Sequence, residues 1–239
     1  MAYIIGLDDG HGTDTSGKQT PDGFKENLFD DAVKQELISE LRFNGFSICD
    51  CSPDRTDNSL ADRVARERAG NCDIFVSIHY NAMGGVWQTN AGGIETYYCG
   101  SDTDKSKRLA DCVHSELIKG TTLKNRGVKS DYSLYSTGLY VLQKTKSPAI
   151  LVECGFMDNP TEAALMKSSE YRHECAAEIC RGICKYFGIQ YKNPDEAIID
   201  NKILYVVQVG SFNIRRNAEN LAADLKKAGF SYIIKEVKQ

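Results

Sequence analysis

The alternation of short apolar runs with longer amphipathic segments constrains the fold of this chain most. The runs "YIIGL" (3–7), "FSICD" (46–50), "DIFVSIHY" (73–80) and "AILVECGF" (149–156) are each about the length of a strand, and several are apolar on both faces. Strands of that kind are typical of parallel sheets covered by helices. The sequence therefore predicts an α/β fold with a mostly parallel central sheet and helices on both of its faces.

The segments between these runs show the apolar period of a helix. In 26–45, for example, Leu28, Val33, Leu37 and Leu41 share one face, and Asn58 or Ser59 is a suitable N-cap for the next segment. We predict helices over 26–45, 58–70, 103–119, 160–168 and 170–187, and further strands over 94–99 and 139–143.

The C-terminal fifth of the chain has a different organisation. Residues 190–202 are polar and typical of a linker. Residues 203–239 show a strand, a helix and a strand, which is one βαβ unit and too small to bury a core alone. We therefore expect a catalytic domain over 1–189, a linker over 190–202 and a small unit over 203–239.

Charge and composition exclude several classes of function. A net charge of −4 argues against general nucleic-acid binding. No run approaches the roughly 18 apolar residues of a membrane span, and the start "MAYIIGLDDGHG" lacks the features of a signal peptide. The sequence thus predicts a protein that is made in the cytoplasm without a signal peptide and has no membrane partner.

Nine cysteines occur without a C-x-x-C pair. The favoured interpretation is small buried side chains in a reducing compartment. A metal site built from cysteines, such as Cys175, Cys180 and Cys184 on one predicted helix, is the minor alternative.

Four ionisable residues lie at strand ends or at a helix start. His11 follows the first strand, His79 and Glu153 end later strands, and Glu26 opens the first helix. Ligands of open α/β sheets bind at the carboxyl ends of the strands, so all four side chains can converge on one edge. An isolated histidine there is more often a hydrogen-bonded core residue, and each carboxylate alone could serve a helix terminus or an ion pair.

Two imidazoles and a carboxylate suit catalytic zinc, because they leave the fourth tetrahedral position open. A further carboxylate can then take a proton from the attacking water and pass it to a leaving amine. The spacing alone is a weak signal of such a site.

The pieces "IIGLDDGHG", "GFKENL", "DRTDNSLADRVARERAG", "DIFVSIHYNA", "GIETYY", "NRGVK" and "YVLQKTKSPAILVECGFMDN" follow one another in a familiar order. Residues 3–187 resemble the zinc-dependent N-acetylmuramoyl-L-alanine amidases of bacterial cell walls and their phages. The resemblance implies one zinc ion with His11, Glu26 and His79 as ligands and Glu153 as catalytic acid/base.

This sequence departs from the family pattern beside His11. Asp9 stands where the family usually has proline, and Thr13 where it often has a second glycine. Both can alter the turn that carries His11, and neither removes a ligand. Asn81 and Arg126 are further candidates for substrate contacts.

Residues 203–239 resemble half of a sporulation-related (SPOR) repeat, which binds glycan strands of peptidoglycan. "LYVVQVGSFNIRRNAENLAADLKKAGF" carries its strand–helix pattern. One βαβ unit leaves an apolar helix face and a strand edge uncovered, so a homodimer through 203–239 would complete the module. An adapter without glycan affinity, or a chain that continues past Gln239, are the alternatives.

We therefore expect zinc-dependent hydrolysis of the amide between N-acetylmuramic acid and L-alanine, by an autolysin or phage endolysin released with a holin or by lysis of the host or mother cell. A zinc peptidase of the peptidoglycan stem, or a catalytically dead wall-binding protein, are the alternatives.

Some relatives carry a helical insertion that plugs the zinc site. Here 82–102 has room only for a Gly-rich loop and one strand, which predicts an open site.

Overall fold

A computed structural model describes residues 2–197, 209–227 and 233–235. Its strands are β1 (Ile4–Asp9), β2 (Ser47–Asp50), β3 (Ile74–Asn81), β4 (Ile94–Tyr98), β5 (Asn125–Ser130) and β6 (Ala149–Phe156). Its helices are α1 (Glu26–Phe43), α2 (Leu60–Ala69), α3 (Lys105–Leu117), α4 (Tyr140–Lys144), α5 (Pro160–Lys167), α6 (Ser169–Phe187), α7 (Pro194–Ala197) and α8 (Arg215–Lys227).

The strands form one sheet in the order β2-β1-β3-β6-β4-β5. Neighbouring strands are parallel, except that β4 runs antiparallel to β6. This confirms the predicted α/β class with a mostly parallel sheet. The reversal of β4 has a consequence for the site: the start of β4, not its end, lies beside the carboxyl end of β6.

Alternation of side chains along each strand divides the interior into two layers. Ile74, Val76 and Ile78 of β3 belong to the larger core, which includes buried side chains of α1, α3 and α6. Phe75 of β3 and Leu151 of β6 belong to a smaller cluster that includes residues of α4. The smaller cluster covers the sheet at the beginning of β3 and β6. The same face of the sheet is therefore less covered by side chains near the carboxyl ends of these two strands.

The sequence prediction was wrong for 139–143, which is not a strand. The chain forms α4 there, with Leu139 as N-cap and with Val141 and Leu142 buried in the smaller cluster. A five-residue apolar run is too short for periodicity to separate a strand from a helical turn. The edge strand β5 was also missed, because "NRGVKS" is polar and partly exposed.

Contacts divide the chain into Met1–Ala197 and Ile198–Gln239. Tyr191 and Lys192 still pack on the first unit, through hydrogen bonds of 2.9 Å from the Tyr191 hydroxyl to Glu40 Oε2 and of 2.7 Å from Lys192 N to Asn44 Oδ1. In the second unit, α8 is the predicted helix. Most of the two predicted strands, including Val206 and Val207, lies outside the described residues.

Within the described ranges, no helix combines the length and the hydrophobicity needed to cross a bilayer.

Candidate metal centre

His79 and Glu153 are placed side by side by the register of β3 and β6. The two residues are Cα partners in the parallel pair, and both are partly accessible. By alternation they share a face with Phe75 and Leu151. Cys154 points to the opposite face and is fully buried in the larger core.

Glu26 reaches the same point from the first turn of α1. Its Oε1 lies 3.1 Å from His79 Nδ1 and accepts a hydrogen bond of 3.2 Å from the backbone N–H of Tyr80. Its Oε2 lies 3.6 Å from His11 Nε2 and, although buried, has no hydrogen-bond partner. A buried carboxylate oxygen without a partner between two imidazoles is the arrangement that a cation would satisfy.

His11 is held in a left-handed backbone conformation, with φ of 59°. The buried Arg63 of α2 fixes this turn: its Nη2 donates a hydrogen bond of 2.7 Å to the His11 carbonyl, and its Nη1 donates to Asp8 Oδ1 at 2.6 Å. The preceding Gly10 is required because a Cβ there would lie 2.4 Å from the His79 ring.

The two departures from the family pattern leave this turn intact. Asp9 is buried, accepts a hydrogen bond of 2.9 Å from Asn27 Nδ2, and forms an ion pair of 2.9 Å with Lys34. Its backbone N–H donates to Ser52 Oγ at 2.9 Å, a bond that proline cannot make. Thr13 bonds to the Arg55 carbonyl through its backbone N–H at 2.9 Å.

The structure brings the three predicted ligands together. One ligand atom from each of His11, Glu26 and His79 lies within 4.8 Å of the others, and no other such group occurs among the described residues. The imidazole rings of His11 and His79 meet edge to face, with centroids 5.0 Å apart. This donor set fits zinc, which prefers imidazole nitrogen and carboxylate oxygen in catalytic sites.

The protonation states also suit a cation. Burial, and next the neighbouring His79, lower the pKa of His11 to about 4, so its ring is neutral and has a free lone pair at pH 7. Burial opposes ionisation of Glu26, but its hydrogen bond to His79 and the two imidazoles outweigh this and lower its pKa.

Glu153 lies in a different electrostatic environment. Burial raises its pKa well above the usual range, and the carboxylates of Glu26 and Glu95 raise it further. Its Oε2 is buried without a hydrogen-bond partner. A raised pKa and an uncommitted oxygen beside a candidate metal site are properties of a general acid/base.

Glu95 is a residue of this site that the sequence prediction missed. Glu95 is the Cα partner of Glu153 in the antiparallel pairing of β4 with β6, and it is buried. It accepts hydrogen bonds of 2.7 Å from Asn81 Nδ2 and 2.8 Å from Arg126 Nε, and it also pairs with Lys129. The two proposed substrate contacts, Asn81 and Arg126, are thus both fixed by Glu95.

Asp30, one turn after Glu26, was also missed. Its side chain is buried, and neither carboxylate oxygen has a hydrogen-bond partner. Burial, and then the charge of Glu26, raise its pKa well above the usual range. The sequence signal was an acid at a core-facing position of an amphipathic helix.

The loop after β3 is anchored beside the site. Oδ2 of the buried Asp158 accepts hydrogen bonds from Met83 N at 2.7 Å, Gly84 N at 2.8 Å and Gln88 Nε2 at 2.8 Å. Trp87 in this loop is exposed. Between β3 and α3 the chain consists of this loop, β4 and a turn.

The other histidines and the helical cysteines stand apart from the centre. His114 is buried and has two partners, Thr96 Oγ1 at 3.1 Å and Asn125 Oδ1 at 2.9 Å. His173 lies 2.9 Å from Glu36. Cys175, Cys180 and Cys184 are buried core side chains, as predicted.

Two known protein families match most of the chain. The N-acetylmuramoyl-L-alanine amidase family matches residues 5–185, and the SPOR domain family matches residues 201–239. The amidase CwlM of Bacillus licheniformis is 29% identical over 96% of this chain and 83% of its own length. The sporulation-specific N-acetylmuramoyl-L-alanine amidase of Bacillus subtilis is 27% identical over the same shares.

Among solved structures, an N-acetylmuramoyl-L-alanine amidase from Clostridium difficile 630 superposes with a TM-score of 0.71 at 30% identity. The superposition covers 78% of this chain and 97% of that one. Because the family match spans most of the chain, the chain belongs to the N-acetylmuramoyl-L-alanine amidase family.

Proposed function

We propose that this chain is a zinc-dependent amidase that cuts the bond between the lactyl group of N-acetylmuramic acid and L-alanine in peptidoglycan. The observation that carries the proposal is the convergence of His11, Glu26 and His79 within 4.8 Å, next to Glu153 in strand register. Each of these four residues has the chemistry that the reaction needs, and each is placed by a different element or turn.

His11, Glu26 and His79 would hold the zinc ion. The bound ion would supply Lewis-acid chemistry, lowering the pKa of a water molecule to about 7 and polarising the scissile carbonyl. Glu26 contributes the single negative charge of the donor set, and the hydrogen bond from Tyr80 N fixes its orientation.

Glu153 would move the proton. Its carboxylate accepts a proton from the attacking water and returns it to the alanine nitrogen as the C–N bond breaks. The raised pKa of Glu153 makes its carboxylate a stronger base, which favours the first of these transfers, from the attacking water. Asn81 and Arg126 are the proposed contacts for the substrate. Both are held by Glu95, the neighbour of Glu153 on β4.

Product analysis tests this reaction against its neighbours. Purified wall digested by the zinc-loaded protein should gain free lactyl carboxyl groups and free amino groups of L-alanine in equal amounts. New amino groups on other residues would instead indicate a peptidase of the stem, and no new groups would indicate a wall-binding protein without activity.

The protein should digest wall without an activating partner. The chain between β3 and α3 is occupied by the anchored loop and β4, and nothing there forms a helix over His79. We expect purified protein with one equivalent of zinc to clear a suspension of wall in a turbidity assay. Clearing that requires a second protein would contradict an open site.

For the biological role we propose a lysin that reaches the wall when the producing cell lyses, as at the end of sporulation. The support is that a sporulation-specific relative aligns over nearly the whole chain, SPOR region included. A phage endolysin is the alternative. Transcript timing separates them, since expression confined to late sporulation supports a mother-cell lysin and induction together with phage genes supports an endolysin.

We further propose that the region 203–239 binds peptidoglycan and assembles the chain into a homodimer. Val209 is 62% exposed, and Leu221 and Leu225 of α8 are only partly buried, so apolar surface is left to cover. Light scattering should give twice the chain mass for the whole protein and the single mass for a chain ending after Asn193, which keeps Tyr191 and Lys192. A monomeric whole protein would end the dimer hypothesis.

A further inference from the structure

A chain of hydrogen bonds leads from Arg63 to the ring of His79. Asp8 of β1 and Ser77 of β3 are Cα partners in the parallel pair of these strands. The Ser77 hydroxyl donates to Asp8 Oδ2 at 2.7 Å, and Asp8 Oδ1 accepts a bond of 2.6 Å from Arg63 Nη1. Ser77 Oγ also lies 3.2 Å from His79 Nε2. Four side chains from β1, α2 and β3 thus form one polar chain that ends at a proposed metal ligand.

Burial isolates the inner part of this chain from water. Ser77 is 0% exposed, Asp8 1% and Arg63 2%, so their hydrogen bonds have to be made within the protein. Arg63 also donates through Nη2 to the His11 carbonyl at 2.7 Å. One guanidinium therefore contacts the turn of His11 directly and acts on the ring of His79 through Asp8 and Ser77.

The chemistry of the groups in the chain fixes its direction. A guanidinium only donates, and the carboxylate that is paired with it only accepts. The single hydroxyl hydrogen of Ser77 is therefore used on Asp8, and the oxygen of Ser77 has only lone pairs to offer His79. A ring nitrogen that meets a lone pair has to carry a hydrogen itself, so Nε2 of His79 is an N–H donor.

The other ring nitrogen of His79, Nδ1, faces the candidate metal centre. It lies 3.1 Å from Glu26 Oε1, and Glu26 Oε2 lies 3.6 Å from His11 Nε2. A cation among these atoms displaces any hydrogen from Nδ1, and the ring then keeps only the hydrogen on Nε2. A hydrogen-bond partner on the second nitrogen orients a metal-binding histidine and fixes its tautomer.

We propose that Ser77 and Asp8 are positioning residues, which hold the ring hydrogen of His79 on Nε2 and thereby present Nδ1 to the zinc ion. This rests on the proposed function, which places zinc on His11, Glu26 and His79.

Two substitutions change the chain in different ways. S77A removes the acceptor for Nε2. D8N reverses the direction, because Arg63 holds the amide oxygen and the amide nitrogen then donates to Ser77. The Ser77 hydroxyl is left to donate to Nε2, which favours a ring hydrogen on Nδ1, where it opposes the ion.

Zinc-chelator competition on the whole protein tests the proposal without turnover. S77A and D8N should each bind zinc about 10- to 100-fold more weakly than the wild type. Because Asp8 acts through Ser77, D8N should cost little in the S77A background, so the S77A/D8N double variant should bind zinc about as S77A does. D57N, which changes another carboxylate near Arg63, at 3.6 Å from Nη2, is the matched control and should keep wild-type affinity.

Nuclear magnetic resonance of zinc-loaded protein with ¹⁵N-labelled histidine gives a second result. The wild type should carry the metal on Nδ1 of His79 and a hydrogen on Nε2 that exchanges with solvent more slowly than in S77A. A hydrogen on Nδ1, wild-type affinity in S77A, or additive losses from S77A and D8N would overturn the assignment. S77A keeps the pair of Asp8 with Arg63 and decides the question if D8N does not fold. Wild-type protein that shows the expected zinc binding but releases no lactyl carboxyl groups from wall would instead defeat the proposed function.

Discussion

Glu153→Gln should lower the rate of wall hydrolysis by a factor of about 10² to 10⁴ and leave the metal content unchanged. The amide keeps the shape of the side chain but can neither accept nor return the proton. Turbidity clearing, with metal content measured on the same sample, gives the result. Glu174→Gln on α6, outside the centre, is the control and should keep full activity. A Glu153→Gln protein that digests wall at near the wild-type rate would remove Glu153 from the mechanism.

The same variant should be more stable than the metal-free wild type at neutral pH. Because burial raises the pKa of Glu153, the stability of the wild type is intact below the unfolded-state value near 4.5 and falls as the pH rises above it. Glutamine does not ionise, so the difference in Tm should be small at pH 4 and grow toward pH 7, reaching about 2 °C or more. A difference that shrinks with rising pH would contradict the environment described for Glu153.

Glu26→Ala should lose the metal, with an affinity at least about 100-fold below that of the wild type. It removes the only carboxylate of the three proposed ligands and leaves two imidazoles facing each other. The measurement is a zinc-chelator competition at pH 7.5. Glu36→Ala, which removes a partly exposed glutamate of the same helix that pairs with His173, should retain wild-type affinity. Unchanged zinc binding by Glu26→Ala would show that the ion is held elsewhere.

The sequence carried enough information to predict the sheet and most of its helices. Apolar runs of strand length and helical periodicity located β1, β2, β3 and β6 with the helices between them. It could not assign 139–143 correctly, since α4 is stabilised by burial of Val141 and Leu142 in the smaller cluster rather than by its own period. The antiparallel direction of β4 is likewise a property of the assembled sheet.

The convergence of His11, Glu26, His79 and Glu153 was predictable because strand ends at one edge are few and the ligand types are distinctive. Glu95 was missed because its position depends on the reversal of β4, although an acid inside "IETYY" was a visible signal of a paired or functional carboxylate. The role of Arg63 depends on its bond to a backbone carbonyl, which residue types do not report.

The most direct measurement of the central claim is anomalous diffraction at the zinc absorption edge from crystals of the zinc-loaded protein. The proposed centre predicts one strong peak, at about 2.0–2.2 Å from a nitrogen of His11, a nitrogen of His79 and an oxygen of Glu26, with Glu153 close by but outside the ligand set. A peak on the cysteines of α6, or no peak among His11, Glu26 and His79, would contradict it.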